Sequence, residues 1–188
     1  MTLMPLGQKL PLAFQPLVKL LVSMTNDPYR EILSTLADAS VDFIVGGGVA
    51  CVIQGVERVT MDVDLAVQMA PPNLRAFLVV MKQLRLRPRV PIPPEALLDP
   101  EAVRLMVEKK QALVFSFLDP DAPIRHVDIF LRPDLSYEVL LHETELVDLG
   151  GFSVRILNKR KLLELKLGIQ PPRAKDAIDI EFLRRHVR

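Results

Sequence analysis

Two stretches, Val41-Asp42-Phe43-Ile44-Val45-Gly46-Gly47-Gly48 and Val59-Thr60-Met61-Asp62-Val63-Asp64-Leu65-Ala66-Val67, decide how this chain folds. Residues 41–45 read as a short strand that stops at three glycines. Residues 49–54 then read as one or two turns of helix, ending near Gly55. Residues 59–67 resume an extended pattern, with Met61, Val63 and Leu65 on one face and Thr60, Asp62 and Asp64 on the other.

Side chains at i and i+2 of a strand point the same way, so Asp62 and Asp64 project together. Two carboxylates so close repel each other and drive one toward protonation unless a cation lies between them. A divalent metal is the usual partner for such hard oxygen donors. The glycines upstream let backbone N–H groups approach a polyphosphate, and the start of the helix adds favourable partial charge. A third acid stands in Arg125-His126-Val127-Asp128-Ile129-Phe130, where Asp128 interrupts a strand otherwise suited to the core and therefore needs a partner. Three acids on neighbouring strands can hold two divalent ions and deprotonate an attacking hydroxyl, as two-metal phosphoryl or nucleotidyl transfer requires.

Around this centre the pattern predicts an α/β (α+β) fold: a mixed twisted sheet of about five strands with flanking helices and C-terminal helices. Asp27-Pro28 reads as an N-cap and first helical residue, and Ile32, Leu33, Leu36 and Ala37 follow at helical spacing. Residues 74–86 form an amphipathic helix. Residues 88–94, with four prolines, read as a loop or stiff connector. Asp99-Pro100 opens a helix to about residue 110. Residues 112–118 and 125–131 read as strands joined by the turn-rich 119–123. A hairpin of 145–149 with 152–156 turns at Gly150-Gly151, and helices over 159–167 and 174–185 close the chain.

With 188 residues, the expectation is one domain over 1–188, with an N-terminal extension over 1–25 and a C-terminal helical segment over 157–188. No apolar run approaches the length of a membrane span, so no membrane partner is expected. The prolines and lysines in the first 24 residues argue against a secretory signal. The single cysteine, Cys51, fits a reducing compartment and reads as a small core residue, so the expected location is cytoplasmic. Net charge is +1, but residues 155–188 hold 10 Lys/Arg against 4 Asp/Glu, which leaves 14 against 19 for the rest. A basic end on an acidic body suggests a place for a polyanion near the metal-binding carboxylates.

The three elements in order, Val45-Gly46-Gly47-Gly48, Thr60-Met61-Asp62-Val63-Asp64-Leu65 and His126-Val127-Asp128-Ile129, resemble the nucleotidyltransferase superfamily typified by DNA polymerase beta. Leu163-Glu164-Leu165-Lys166 and the run from Arg173 to Ile180 are similar to the small stand-alone bacterial members, among them abortive-infection toxin nucleotidyltransferases. The resemblance spans roughly residues 30–185. It implies transfer of a nucleoside monophosphate from a nucleoside triphosphate such as ATP to an acceptor hydroxyl on RNA, tRNA, a small molecule or a protein. It makes Asp62 and Asp64 ligands of Mg2+ or Mn2+, with two ions, and Asp128 the base or third ligand. Gly46, Gly47 and Gly48 would contact phosphate, Lys166 would face the nucleotide, and Arg58 and Thr60 would line the same cleft. Arg173, Lys175 and Asp176 serve equally as helix-start and packing residues. The chain departs from the family at the glycine turn, where a serine often follows the first glycines and here Gly48 and Val49 offer only backbone.

The alternative is a protein of the same fold that binds nucleotide without catalysis, or a regulatory protein of toxin–antitoxin type with a cognate partner. All three acids are present, which favours the enzyme. A dinucleotide-binding turn fails because its third glycine would fall at Cys51. His126 and His142 lack ligand spacing, so no zinc site is expected. Ten aromatic residues, most in core strands or helices, leave no stacking surface for sequence-specific RNA reading.

Overall fold

A computed structural model of the chain describes residues 28–187 except Met61, Pro123, Gln170 and Pro172. The expected N-terminal extension and the Asp27 cap lie outside the described residues. The elements run α1 (Pro28–Asp38), β1 (Phe43–Val45), α2 (Gly47–Ile53), β2 (Asp62–Val67), α3 (Pro71–Gln83), β3 (Arg87–Pro88), α4 (Pro100–Lys110), β4 (Val114–Leu118), β5 (His126–Phe130), α5 (Tyr137–Leu140), β6 (Thr144–Asp148), β7 (Ser153–Leu157), α6 (Lys159–Leu167) and α7 (Ala174–His186).

The seven strands form one mixed sheet in the order β3-β4-β5-β2-β1-β7-β6. β1 runs parallel to β7 and β2 parallel to β5, and the other neighbours are antiparallel. The mixed α/β architecture with closing helices is the one the patterning predicts, with more strands than the five or so expected. The clearest addition is β3, inside the stretch expected to be a loop or connector. Arg87 and Pro88 pair with Leu118 and Phe117, and the Arg89 N–H donates to Ser116 C=O at 2.9 Å. Proline lacks a donor, but at the sheet edge its outward side needs none. β2 also starts later than expected: Val59 is 85% exposed, with nothing to bury against. Pairing begins where Asp62 meets His126. The stretch after β5, for which no element is predicted, folds into single turns over Pro133–Leu135, Tyr137–Leu140 and Leu141–Glu143.

Alternation fixes which face does what. Val63, Leu65, Val127, Ile129, Phe115 and Phe117 point to one side and are buried. They join the apolar stripes of α1 and α3 in one core, where Phe77 of α3 meets Phe117 edge-on at 5.7 Å between centroids. On the other side α2 packs on β2 and α6, and α6 pairs with α7. The Gly150-Gly151 turn holds φ of +77° and +101°, which glycine tolerates. Among the described residues no helix is long and apolar enough to cross a membrane.

Candidate functional site

Parallel pairing of β2 with β5 sets Asp62 beside His126 and Asp64 beside Asp128. Residues two apart share a face, so all four side chains lie on the side of the sheet away from the core. Asp62, His126 and Asp128 each offer one ligand atom, all within 4.8 Å of one another. One oxygen of Asp128, Oδ1, is buried with no hydrogen-bond partner. Hard oxygen donors packed this closely, one of them unsatisfied, suit a divalent cation.

Asp64 lies deeper. Burial first, then the charges of Asp62 and Asp128, push its carboxyl up to about 7. A hydrogen bond from the Gly48 N–H and the charge of Lys166 work in the other direction. The carboxyl titrates well above its ordinary value, so between pH 4 and 7 the folded chain keeps a proton that the unfolded chain has released. Stability therefore falls as pH rises through that window, and the full cost is present at pH 8. Asp64→Asn is expected to raise the melting temperature of the metal-free protein at pH 8 by several degrees, for a gain on the order of 1–3 kcal/mol. The difference should vanish near pH 4. Thermal unfolding in chelator across that range measures both.

The glycine turn is shaped around these acids. The Gly46 N–H donates to the Asp64 carbonyl at 2.8 Å, which closes β1 against β2. Gly47 has φ +53°, and a Cβ there would lie 1.7 Å from Asp64 Oδ2. At Gly48 a Cβ would lie 2.2 Å from Thr60 Oγ1 and 2.8 Å from Arg58 Nη2. The Thr60 hydroxyl donates to Asp62 Oδ1 at 3.1 Å, and its backbone carbonyl accepts from the Tyr29 hydroxyl. Thr60 thus fills the space that a side chain at 48 would need.

Beside the turn the wall is ionic. Arg58 donates to Asp179 through Nε at 2.6 Å and Nη2 at 3.0 Å. Lys166 Nζ sits 2.7 Å from both Asp176 Oδ1 and Asp179 Oδ2, and Arg173 Nε is 2.7 Å from Asp176 Oδ2. Burial opposes the charge on Lys166, but the bonds to Asp176 and Asp179 outweigh it and hold its pKa above the usual lysine value. Burial likewise opposes ionisation of Asp176, yet Arg173 and Lys166 draw it down to about 2. Lys175 Nζ reaches to 3.9 Å from Asp62 Oδ2. Cys51 is a core residue, as expected, its thiol pushed up to about 12 by burial first and then by Asp179.

Of the residues singled out in the sequence, Gly47, Gly48, Arg58, Asp62, Asp64 and Lys166 line one cleft of about 240 Å³. Asp128 neighbours Asp64 in the sheet, Thr60 is bonded to Asp62, and Gly46 precedes the lining glycines. Arg58 and Lys166 stand in the wall already bonded to carboxylates. Two participants escaped the sequence reading. Asp179 shares the inward face of α7 with Asp176 and Leu183, all three buried. Acids at helical spacing from a core leucine were the available signal. His126 enters by cross-strand register, which ligand spacing along the chain does not capture.

No protein-family model matches the sequence, and no curated protein matches it. In three dimensions the chain is similar to the lincosamide antibiotic adenylyltransferase LnuA in its lincomycin-bound crystal structure. The TM-score is 0.59 at 12% identity, and the match covers 86% of this chain and 98% of that one. The likeness is therefore one of fold: the mixed sheet and its closing helices share the architecture of that structure.

Proposed function

We propose that this chain is a metal-dependent nucleotidyltransferase that moves a nucleoside monophosphate from a nucleoside triphosphate to an acceptor hydroxyl. The observation that carries the reading is the register of β2 on β5, which brings Asp62, Asp64 and Asp128 to one face beside a glycine turn with no side chains in the way. Bound at these acids, two Mg2+ or Mn2+ ions would offset charge building on the transferred phosphoryl group and favour ionisation of the attacking hydroxyl. Asp128, with one oxygen unsatisfied, takes the hydroxyl proton. The acceptor oxygen bonds to the α-phosphorus as the bond to the bridging oxygen breaks, and pyrophosphate leaves with the electron pair. Among the described residues, Lys166, Arg58 and Arg173 face only two carboxylates, Asp176 and Asp179, so the cleft wall keeps one positive charge in excess.

A compact acceptor fits better than a nucleic acid. Five of the ten C-terminal cations are paired within the chain: Arg160 with Glu143, Lys161 with Glu164, Arg185 with Glu181, Arg173 with Asp176, and Lys166 with two aspartates. That halves the charge left to follow a phosphate backbone. Val114, Phe130, Leu135, Leu162 and Ile169 give the cleft an apolar wall suited to a small hydroxylated molecule. The similarly folded LnuA is described as acting on a lincosamide.

The test incubates the purified chain with labelled triphosphates, Mg2+ or Mn2+, and two acceptor pools, one of hydroxylated small molecules and one of tRNA. Transfer to the first pool by wild type but not by Asp62→Ala/Asp64→Ala is the expected result. Equal background from both proteins in both pools removes the catalytic claim and leaves nucleotide binding alone.

A further inference from the structure

His126 plays no part in the reaction described above, yet it stands next to two of the acids that the reaction uses. It is registered directly against Asp62 across the β2–β5 pair and shares a face with Asp128 two residues along its own strand. We propose that His126 is a ligand of the cation at this site, and that its imidazole gives the position a preference for Mn2+ and later divalent ions over Mg2+. The inference rests on the reading of Asp62 and Asp128 as metal ligands, and is separable from the transfer reaction.

Three observations support it. One ring nitrogen of His126 and one carboxylate oxygen each from Asp62 and Asp128 all lie within 4.8 Å of one another. His126 Nε2 stands 3.7 Å from Asp128 Oδ2. That is too long for a hydrogen bond, but two ligands of one cation, each about 2.1 Å from it, are held roughly 3 to 3.6 Å apart. The third is Asp128 Oδ1, the other oxygen of the same carboxylate, buried and left without a hydrogen-bond partner. A histidine kept for packing would sit among apolar neighbours, or bond to a carbonyl through a ring nitrogen. This ring is 27% exposed and faces carboxylates on the polar side of the sheet.

The donor set decides which ion is held. Mg2+ takes oxygen ligands and gives up water reluctantly, so sites built for it present carboxylates alone. Imidazole suits Mn2+ modestly and the later divalent ions more strongly. Asp62, His126 and Asp128 form a mixed nitrogen–oxygen set, whereas Asp64, turned toward the Gly48 N–H, stands outside it.

The experiment uses the untagged full chain and Mn2+ alone, with no triphosphate. Pulsed electron paramagnetic resonance of bound Mn2+ is expected to show 14N hyperfine coupling, which His126→Ala abolishes and His142→Ala leaves intact. Titration should show Mn2+ affinity falling about tenfold or more in His126→Ala. Mg2+ affinity, read by competition, should change less than twofold. Bound Mn2+ without nitrogen coupling in wild type overturns the proposal, as does equal weakening of both metals. Unfolding curves for His126→Asn, which keeps a side chain of similar reach, show that any loss is not a loss of fold. A chain that binds Mn2+ through His126 and transfers nothing keeps this inference and loses the other.

Discussion

Asp128→Asn is expected to cut nucleotidyl transfer by at least about a thousandfold while leaving the fold intact. The change is one atom, so packing between β4 and β5 is preserved. The negative charge and the proton acceptor both go, which removes about 4 kcal/mol of transition-state stabilisation. The buried Oδ1 makes the loss specific, since that oxygen has no hydrogen-bond partner among the described residues for the substitution to release. Repulsion on Asp64 also falls, because Asp128 is one of the charges raising its pKa, so the melting temperature should hold or rise. Single-turnover rates at saturating metal and triphosphate, with unfolding curves alongside, give both readings. More than a tenth of wild-type activity in the variant would dismiss Asp128 as the proton acceptor.

Gly47→Ala should damage stability and activity together. A φ of +53° costs an alanine roughly 1 kcal/mol or more. The added methyl would also sit 1.7 Å from Asp64 Oδ2, inside the carboxylate itself. Either the turn opens or Asp64 swings away, and a displacement of about 1 Å in a reacting group is enough for a hundredfold loss. The control is Gly151→Ala, where φ is +101° and a Cβ meets nothing within 4 Å. That variant carries a backbone cost alone, and its transfer rate should match wild type. Melting temperature and transfer rate for the pair separate strain from displacement.

How much of this was legible depended on whether an interaction runs along one element or across two. The shared face of Asp62 and Asp64 follows from strand periodicity, and the break after Val45 from three glycines, so the centre of the fold could be read directly. Asp128 stood out because an acid interrupted an apolar strand. Its register against Asp64 could not be read, because a parallel pair between β2 and β5 is set by everything that packs between them. His126 was hidden for the same reason: its register partner Asp62 belongs to another strand. Lys166 and Arg58 were found as residues of the cleft, but their bonds to Asp176 and Asp179 were not, since those depend on where α7 docks. β3 was missed because four prolines outweigh two edge pairs in any local reading.

The fit of Thr60 into the space beside Gly48 ties the histories of two positions together. A serine or alanine at 48 alone collides with the Thr60 hydroxyl and the Arg58 guanidinium, and shortening residue 60 alone leaves a hole beside Asp62. Each change is harmful in the background of the other's original residue, whereas the double exchange removes the closest contact and leaves the Arg58 guanidinium, at 2.8 Å, to shift. Relatives of this chain with a side chain at 48 should therefore carry a smaller residue at 60. Laboratory evolution of the turn should likewise find these two substitutions as mutual suppressors rather than as independent steps.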